Sequence, residues 1–296
     1  MPSQTKRYGI IVGVDGSPAS DCAVRWAAHD AAIRGVPLTL THVENPAAPT
    51  WSQAPILEQL KGWQEAEGRS MLANARKIAQ DTVGEKADTP INGELLFSAT
   101  VPTLIELSQD AELIVAGTDG RGALTRGLLG SVSSGLVRHA RCPVAVIHEE
   151  QPPRSRAVQA HVLVGIDGSP NSELATKIAF HEASRRHVDL VAMHAWSNRE
   201  LLELPGIDWS QIKAEEERLL AEALAGSQER YPDVEVTKLL VCDPPARALV
   251  QASDSAQLVV VGSHGRHLAS RMVLGSVSNA VVQSVRTPVI VARSTR

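Results

Sequence analysis

The sequence predicts two tandem doubly wound α/β domains, each built on a parallel sheet. Three observations carry that reading. The chain repeats itself: IIVGVDGSP at Ile10–Pro18 returns as VLVGIDGSP at Val162–Pro170, an offset of 152 residues. The register holds through LTLTHVENP against DLVAMHAWS, which sets His42 over His194 and Val43 over Ala195, and His29 falls on His181. From ELIVAG, ending at Gly117, against QLVVVG, ending at Gly262, the offset is 145, so the second middle segment is seven residues shorter. A period of that size is a duplicated domain and not a solenoid repeat. Second, short β-branched runs alternate with longer helical stretches, the mark of βαβ units. Third, runs such as LIVAG and VVVG are apolar on both faces, as central strands covered by helices require.

The elements follow in order along the first repeat. A strand near residues 8–14, YGIIVGV, stops at the DGS turn. Ser17 and Pro18 then open a helix over 18–34, with serine suited to the N-cap and proline to the first helical position, where its missing N–H is no loss. Ser169 and Pro170 repeat the device. A strand at 38–43, a helix at 56–82, a strand at 91–97, a helix at 101–108, a strand at 112–116, a helix at 131–140 and a strand at 143–148 complete the unit. Glu149–Ala160, EEQPPRSRAVQA, is rich in proline and charge and reads as an exposed linker. The expected domains are therefore 1–150 and 158–296.

Bulk composition excludes several partners. A chain of 296 residues with 43% hydrophobic content can bury two cores. Its formal charge of −4 offers no basic footprint for nucleic acid or an anionic membrane. Cys22, Cys142 and Cys242 lie far apart with no CxxC pair, so neither a disulfide framework nor a zinc ribbon is expected. The N-terminal segment has no apolar h-region, and no stretch has the length and apolarity of a membrane span. A cytoplasmic location is expected. Aromatic residues are 3% of the chain, so ligand contacts should come from backbone and small side chains.

In an open α/β sheet, ligands bind beyond the carboxyl ends of the strands, where strand order reverses. Three features gather there in each repeat. Gly13 and Asp15, or Gly165 and Asp167, end the first strand. Val43 or Ala195 lies at the end of the second. The fourth strand runs into GTDGRGALTRGLLGS, Gly117–Ser131, or GSHGRHLASRMVLGS, Gly262–Ser276, both of the form Gly-x2-Gly-x9-Gly-Ser. Gly117 and Gly120 let the backbone approach a ligand, and Gly130-Ser131 opens a helix whose free N–H groups attract anions. Arg121 and Arg126, with Arg266 and Arg271, are candidate counter-charges for a polyphosphate. Ser131, Ser133, Ser276 and Ser278 can donate hydroxyl hydrogen bonds to it. The spacing occurs twice, each time between a buried-type strand and a helix, so motif and context agree.

Other features have plainer readings. Asp15 and Asp167 also suit turn and capping duty. His42 and His194 read as packed and hydrogen-bonded, and HGRH at His264 and His267 lacks a third metal ligand. AEEERLL, Ala214–Leu220, is a solvated helix face, while Trp51, Trp63 and Trp209 are expected to anchor packing or an interface.

Gly-x2-Gly-x9-Gly-Ser after the fourth strand, with VGVDGS ending the first, resembles the ATP-binding branch of the universal stress protein family, in its tandem actinobacterial form. The resemblance runs from about Gly9 to Ile147 and from His161 to Ala292. It implies a five-stranded sheet of order 3-2-1-4-5 in each domain, and pairing of the halves through PVAVIH and PVIVAR into an internal pseudo-dimer. It implies ATP bound along Gly13, Asp15, Val43, Gly117, Thr118, Asp119, Gly120, Arg121, Gly122, Gly130, Ser131, Val132 and Ser133. The second site matches at Gly165, Asp167, Ala195, Gly262, Ser263, His264, Gly265, Arg266, Gly275, Ser276, Val277 and Ser278. Where Gly122 stands in the first loop the second has His267, which is expected to narrow the second pocket. Asp119 stands where the second has His264, and a carboxylate beside phosphates calls for a magnesium ion or an arginine.

Neither loop contains GK[ST] or any lysine, and neither GxSxG nor HExxH occurs. The expected function is an ATP-binding regulator of stress adaptation or growth, with hydrolysis slow or absent, acting on a protein partner that no residue names and forming homo-oligomers. The alternative is a nucleotide hydrolase or adenylyl-transferring enzyme of related architecture. A partner-binding scaffold with empty pockets is a third class. A dinucleotide-binding Rossmann domain fits worse, since GVDGSP is not G-x-G-x-x-G.

Overall fold

A computed structural model of the chain describes residues 7–45, 54–84, 88–118, 129–149, 160–196, 209–265 and 274–293. These form two compact units, the first ending at Glu149 and the second beginning at Glu150. In the first, β1 (Ile10–Gly13), α1 (Pro18–Arg34), β2 (Leu38–Glu44), α2 (Ala54–Val83), β3 (Ile91–Phe97), α3 (Thr100–Leu107), β4 (Leu113–Gly117), α4 (Ser131–His139) and β5 (Val144–Ile147) follow one another. The strands are parallel in the order β3-β2-β1-β4-β5. Helices α1 and α2 pack on each other over one face and α3 with α4 over the other. The expected doubly wound architecture is thus present, with a 3-10 turn at Ser108–Asp110 added after α3.

The second unit repeats the plan with β6 (His161–Gly165), α5 (Pro170–Arg186), β7 (Leu190–Trp196), α6 (Trp209–Arg230), β8 (Val236–Cys242), α7 (Pro245–Ser253), β9 (Ala256–Gly262), α8 (Ser276–Ser284) and β10 (Val289–Ala292). Its order, β8-β7-β6-β9-β10, is the same 3-2-1-4-5.

Why these residues build these elements is visible at the termini. Ser17 Oγ accepts from Ser20 N at 3.2 Å and Ser169 Oγ from Ser172 N at 3.2 Å, so both first helices carry side-chain caps above proline, a device that contributes about 1 kcal/mol. Helix α1 ends on Gly35 in the left-handed conformation, whereas α5 ends on His187 at φ 53°. The buried face of α1 is Ala23, Val24, Ala27, Ala28 and Ala31. Such small side chains let the helix lie close on β1 and β4, whose Ile10, Ile11, Ile114 and Val115 are fully buried.

Among the described residues, no helix is long and apolar enough to cross a membrane.

Candidate functional site

The DGS turn leaving β1 is built by its own residues. Asp15 Oδ1 accepts from Ser17 N at 3.0 Å and from Ser17 Oγ at 2.6 Å, while Gly16 takes φ 74°, open to glycine without strain. In the second unit Asp167 Oδ1 accepts from Ser169 N at 2.9 Å, and Gly168 takes φ 75°. One carboxylate oxygen in each repeat therefore holds the turn that starts the first helix.

The glycine loop begins and ends at one place. Thr118 N donates to Ile147 O at 3.0 Å, and Gly130 N returns to Thr118 O at 2.6 Å. Ser263 N likewise donates to Ala292 O at 3.2 Å and Gly275 N to Ser263 O at 2.9 Å. These clamps set the N-terminus of α4, or of α8, over the carboxyl ends of the strands. Unlike α1 and α5, α4 and α8 have no side-chain cap, because Gly130 and Gly275 occupy the N-cap. Their first-turn N–H groups face outward, with roughly half a positive charge concentrated at the helix end.

Two sequence-derived roles are corrected by this geometry. Ser133 Oγ donates to Gly117 O, and Ser278 Oγ to Gly262 O at 2.5 Å. Both side chains are buried, so these hydroxyl hydrogens brace the loop and are not offered to a phosphate. Ser131 and Ser276 are exposed and keep theirs. Gly117 also has a packing reason: a Cβ there would lie 2.8 Å from the carbonyl carbon and oxygen of Ala19 on α1. At Gly262 the corresponding distances to Asn171 are 3.0 and 3.1 Å. A glycine at this position lets the helix approach the strand, whatever binds above it.

In each unit these groups surround one cavity. The first, of about 220 Å³, brings together the expected Gly13, Asp15, Val43, Gly117, Gly130, Ser131, Val132 and Ser133. The second, of about 420 Å³, brings together Gly165, Asp167, Ala195, Gly262, His264, Gly265, Gly275, Ser276, Val277 and Ser278. Thr118 and Ser263 stand just beneath, in the clamps. Asp119, Gly120, Arg121, Gly122, Arg126, Arg266, His267 and Arg271 lie outside the described residues, as does Trp51.

The sequence reading missed a second set of lining residues, and here the two cavities diverge. The first contains Thr41, Thr100 and Leu104; the matched positions in the second are Met193, Pro245 and Leu249. Trp196 and Glu216 add an aromatic and an acidic wall to the second alone. Trp196 stacks on Trp209 with ring centroids 6.0 Å apart, so Trp209 does pack within its unit, whereas Trp63 is 62% exposed.

Both cavities also touch a buried histidine. His42 Nδ1 lies 2.6 Å from Val14 O and so carries the hydrogen, while Nε2 faces Glu44 Oε2 at 3.2 Å; the other carboxylate oxygen, Oε1, accepts from Gln64 Nε2 of α2 at 2.9 Å. His194 Nδ1 meets Ile166 O at 2.6 Å and Nε2 meets Glu216 Oε2 at 2.7 Å. Each ring ties the end of the first strand to the second helix. Glu216 is thus the one residue of the AEEERLL stretch turned to this task, at helical spacing from its exposed neighbours Glu215 and Glu217. His264 is buried with Nδ1 3.0 Å from Ser263 Oγ. Among the described residues, no group of three or more His, Cys, Asp or Glu could hold a metal ion.

The sequence model of the Universal stress protein family matches residues 9–148 and again 160–293. A universal stress protein of Mycobacterium tuberculosis is 58% identical over 293 residues, covering 99% of each chain. A second from the same organism is 52% identical over 293 residues, again covering 99% of each. Among solved structures, a universal stress protein from Archaeoglobus fulgidus superposes with a TM-score of 0.69 over 98% of this chain and 99% of its own, at 19% identity, a likeness of fold.

Proposed function

This chain belongs to the universal stress protein family in both of its halves, and from that premise we propose that it is an ATP-binding regulator of stress adaptation or growth, with one nucleotide site per unit and hydrolysis slow or absent. The observation that carries the reading is the uncapped N-terminus of α4, and of α8, at the rim of a cavity beyond the strand ends. A helix end with outward N–H groups and a positive dipole favours a phosphate group. The first helices offer no such place, since Ser17 and Ser169 cap them.

The lining fits a nucleotide in its other parts too. Gly13 lies on the cavity wall, where a Cβ would come into ordinary van der Waals contact with Leu104 Cδ1 at 3.9 Å. The end of β2 supplies Val43, and the end of β7 Ala195, as apolar contacts. Asp15 and Asp167 line the same cavities, where a ribose hydroxyl or an adenine amine would meet a carboxylate. Ser131 and Ser276 add hydroxyls to the phosphate end. ATP binding to the folded chain alone would stabilise it by mass action, and slow turnover would make the bound state persist. The absence of any lysine from both loops removes the point charge that a P-loop brings to the β and γ phosphates, in keeping with a sensor.

The test removes two donors from one helix end, a backbone N–H and a hydroxyl, without touching the fold. Ser131 and Ser276 are the first helical residues, where proline is favoured, and the preceding Gly130 (φ −59°, ψ 164°) and Gly275 (φ −59°, ψ 149°) already hold the extended geometry that proline demands of its neighbour. Ser131→Pro and Ser276→Pro each delete one N–H and one hydroxyl. Calorimetric titration should give about two ATP per chain for the parent and weaken one site by roughly tenfold or more in each variant, the worth of one charge-assisted hydrogen bond. Parental affinity retained in the double variant would overturn the assignment.

A further inference from the structure

We infer that Thr41 is a base-reading residue of the first site alone, so that the two sites of one chain recognise the same nucleotide by different chemistry. The inference rests on the nucleotide reading above and deepens it. Thr41 is 1% exposed and lines the first cavity, and its Oγ1 has no hydrogen-bond partner among the described residues. Other threonine hydroxyls nearby are occupied: Thr39 Oγ1 donates to Tyr8 O at 3.2 Å, and Thr100 Oγ1 to Val43 O at 3.3 Å. A buried hydroxyl left unpaired is costly, so sequences retain one where something else completes it.

The position of Thr41 says what that is. Thr41 pairs with Gly13 across β1 and β2, two residues before Val43, and all three line the first cavity. Its backbone carbonyl is already bound by Val14 N at 2.9 Å. A turn of about 120° about χ1 carries Oγ1 into the methyl's place and the methyl into the hydrogen's, which gives the hydroxyl of this cavity-lining residue a second staggered position from which to meet a ligand. A threonine hydroxyl can donate to a ring nitrogen or accept from an exocyclic amine, and the edge of a purine carries both. In the second unit Met193 takes this place and Pro245 that of Thr100, so the corresponding floor offers the base no hydroxyl.

The intact chain is photolabelled with 8-azido-ATP over a range of concentrations and digested, so that peptides from each half report their own site. For Thr41→Val the half-saturation of first-half labelling should rise about tenfold, one hydrogen bond's worth, while second-half labelling stays at the parental value. Thr41→Ser, which keeps the hydroxyl, should label like the parent. The melting midpoint of unliganded Thr41→Val should equal or exceed the parent's, since the substitution removes a buried unpaired hydroxyl. Parental first-half labelling in Thr41→Val, or a fall in its unliganded midpoint, would overturn the inference and leave the nucleotide reading standing. Absence of competable labelling in both halves of the parent would overturn the nucleotide reading, and this inference with it.

Discussion

Asp15 has two oxygens and the turn uses one. Oδ1 accepts from both the backbone and the hydroxyl of Ser17, so truncation to alanine would loosen the start of α1 and the ligand wall together, and loss of binding would not say which mattered. Asparagine separates them. Its carbonyl oxygen keeps the two Ser17 bonds while the other oxygen becomes an amide that can only donate. If that oxygen accepts from adenosine, Asp15→Asn should retain the parental melting midpoint and weaken ATP by roughly tenfold, with inorganic tripolyphosphate unchanged. Equal weakening of ATP and tripolyphosphate would assign Asp15 to the turn alone. Asp15 was legible in the sequence because a carboxylate in a repeated DGS turn after a buried strand has few duties. Thr41 was not, because a threonine inside LTLTHV has the look of any β-branched strand residue, and only coordinates reveal that its hydroxyl lacks a partner. Ser133 and Ser278 show the converse: a hydroxyl near a glycine loop suggested a ligand contact, and the carbonyl of Gly117 or Gly262 claims it.

At the scale of elements, strand and helix boundaries were legible to within two residues throughout the first repeat, because each element carries either its period or its cap in its own residues. What periodicity does not carry is the direction of a single side chain on a solvated helix, and Glu216 reaching His194 is the instance. The strand β6 holds a consequence for acidity. It opens on His161, half-buried, whose pKa lies below its ordinary 6.5 because burial disfavours the imidazolium, with the Asp189 carboxylate opposing in part. The folded chain then binds this proton less readily than the unfolded chain. The unfolded state therefore carries the excess of bound protons as pH falls below about 6.5, and stability falls with it, levelling only below the lowered folded value. Chemical denaturation of the parent and of His161→Gln between pH 7.5 and 5 should show the parent losing more stability over the acid half of that range. Parallel curves for the two would remove His161 from the acid response.

At the scale of the whole chain, duplication was the most legible feature, since matched strings at a constant offset need no physics to find. The physics appears in how far the copies have diverged at matched positions, and Gly117 and Gly262 measure it. Both glycines let the first helix of their unit press on the fourth strand, but a Cβ at Gly117 would sit 2.8 Å from Ala19 backbone atoms, inside any contact real side chains make, whereas at Gly262 the nearest Asn171 atom is at 3.0 Å. In both places the obstacle is backbone, which cannot turn aside as a side chain can. Gly117→Ala must therefore displace the start of α1, and with it the Asp15–Ser17 turn that walls the same cavity. Overpacking of this kind costs about 1–3 kcal/mol. The first unit should then lose both stability and its nucleotide, leaving about one ATP per chain, while Gly262→Ala should shift unfolding less and weaken only the second site. By the same contact, a bulkier residue at Gly117 would disturb the fold as well as empty the site. Scanning calorimetry with and without ATP decides: a Gly262→Ala shift as large as that of Gly117→Ala would mean the two helix–strand contacts are equally tight in solution, and a Gly117→Ala chain that melts like the parent yet binds one ATP fewer would return that glycine to the ligand.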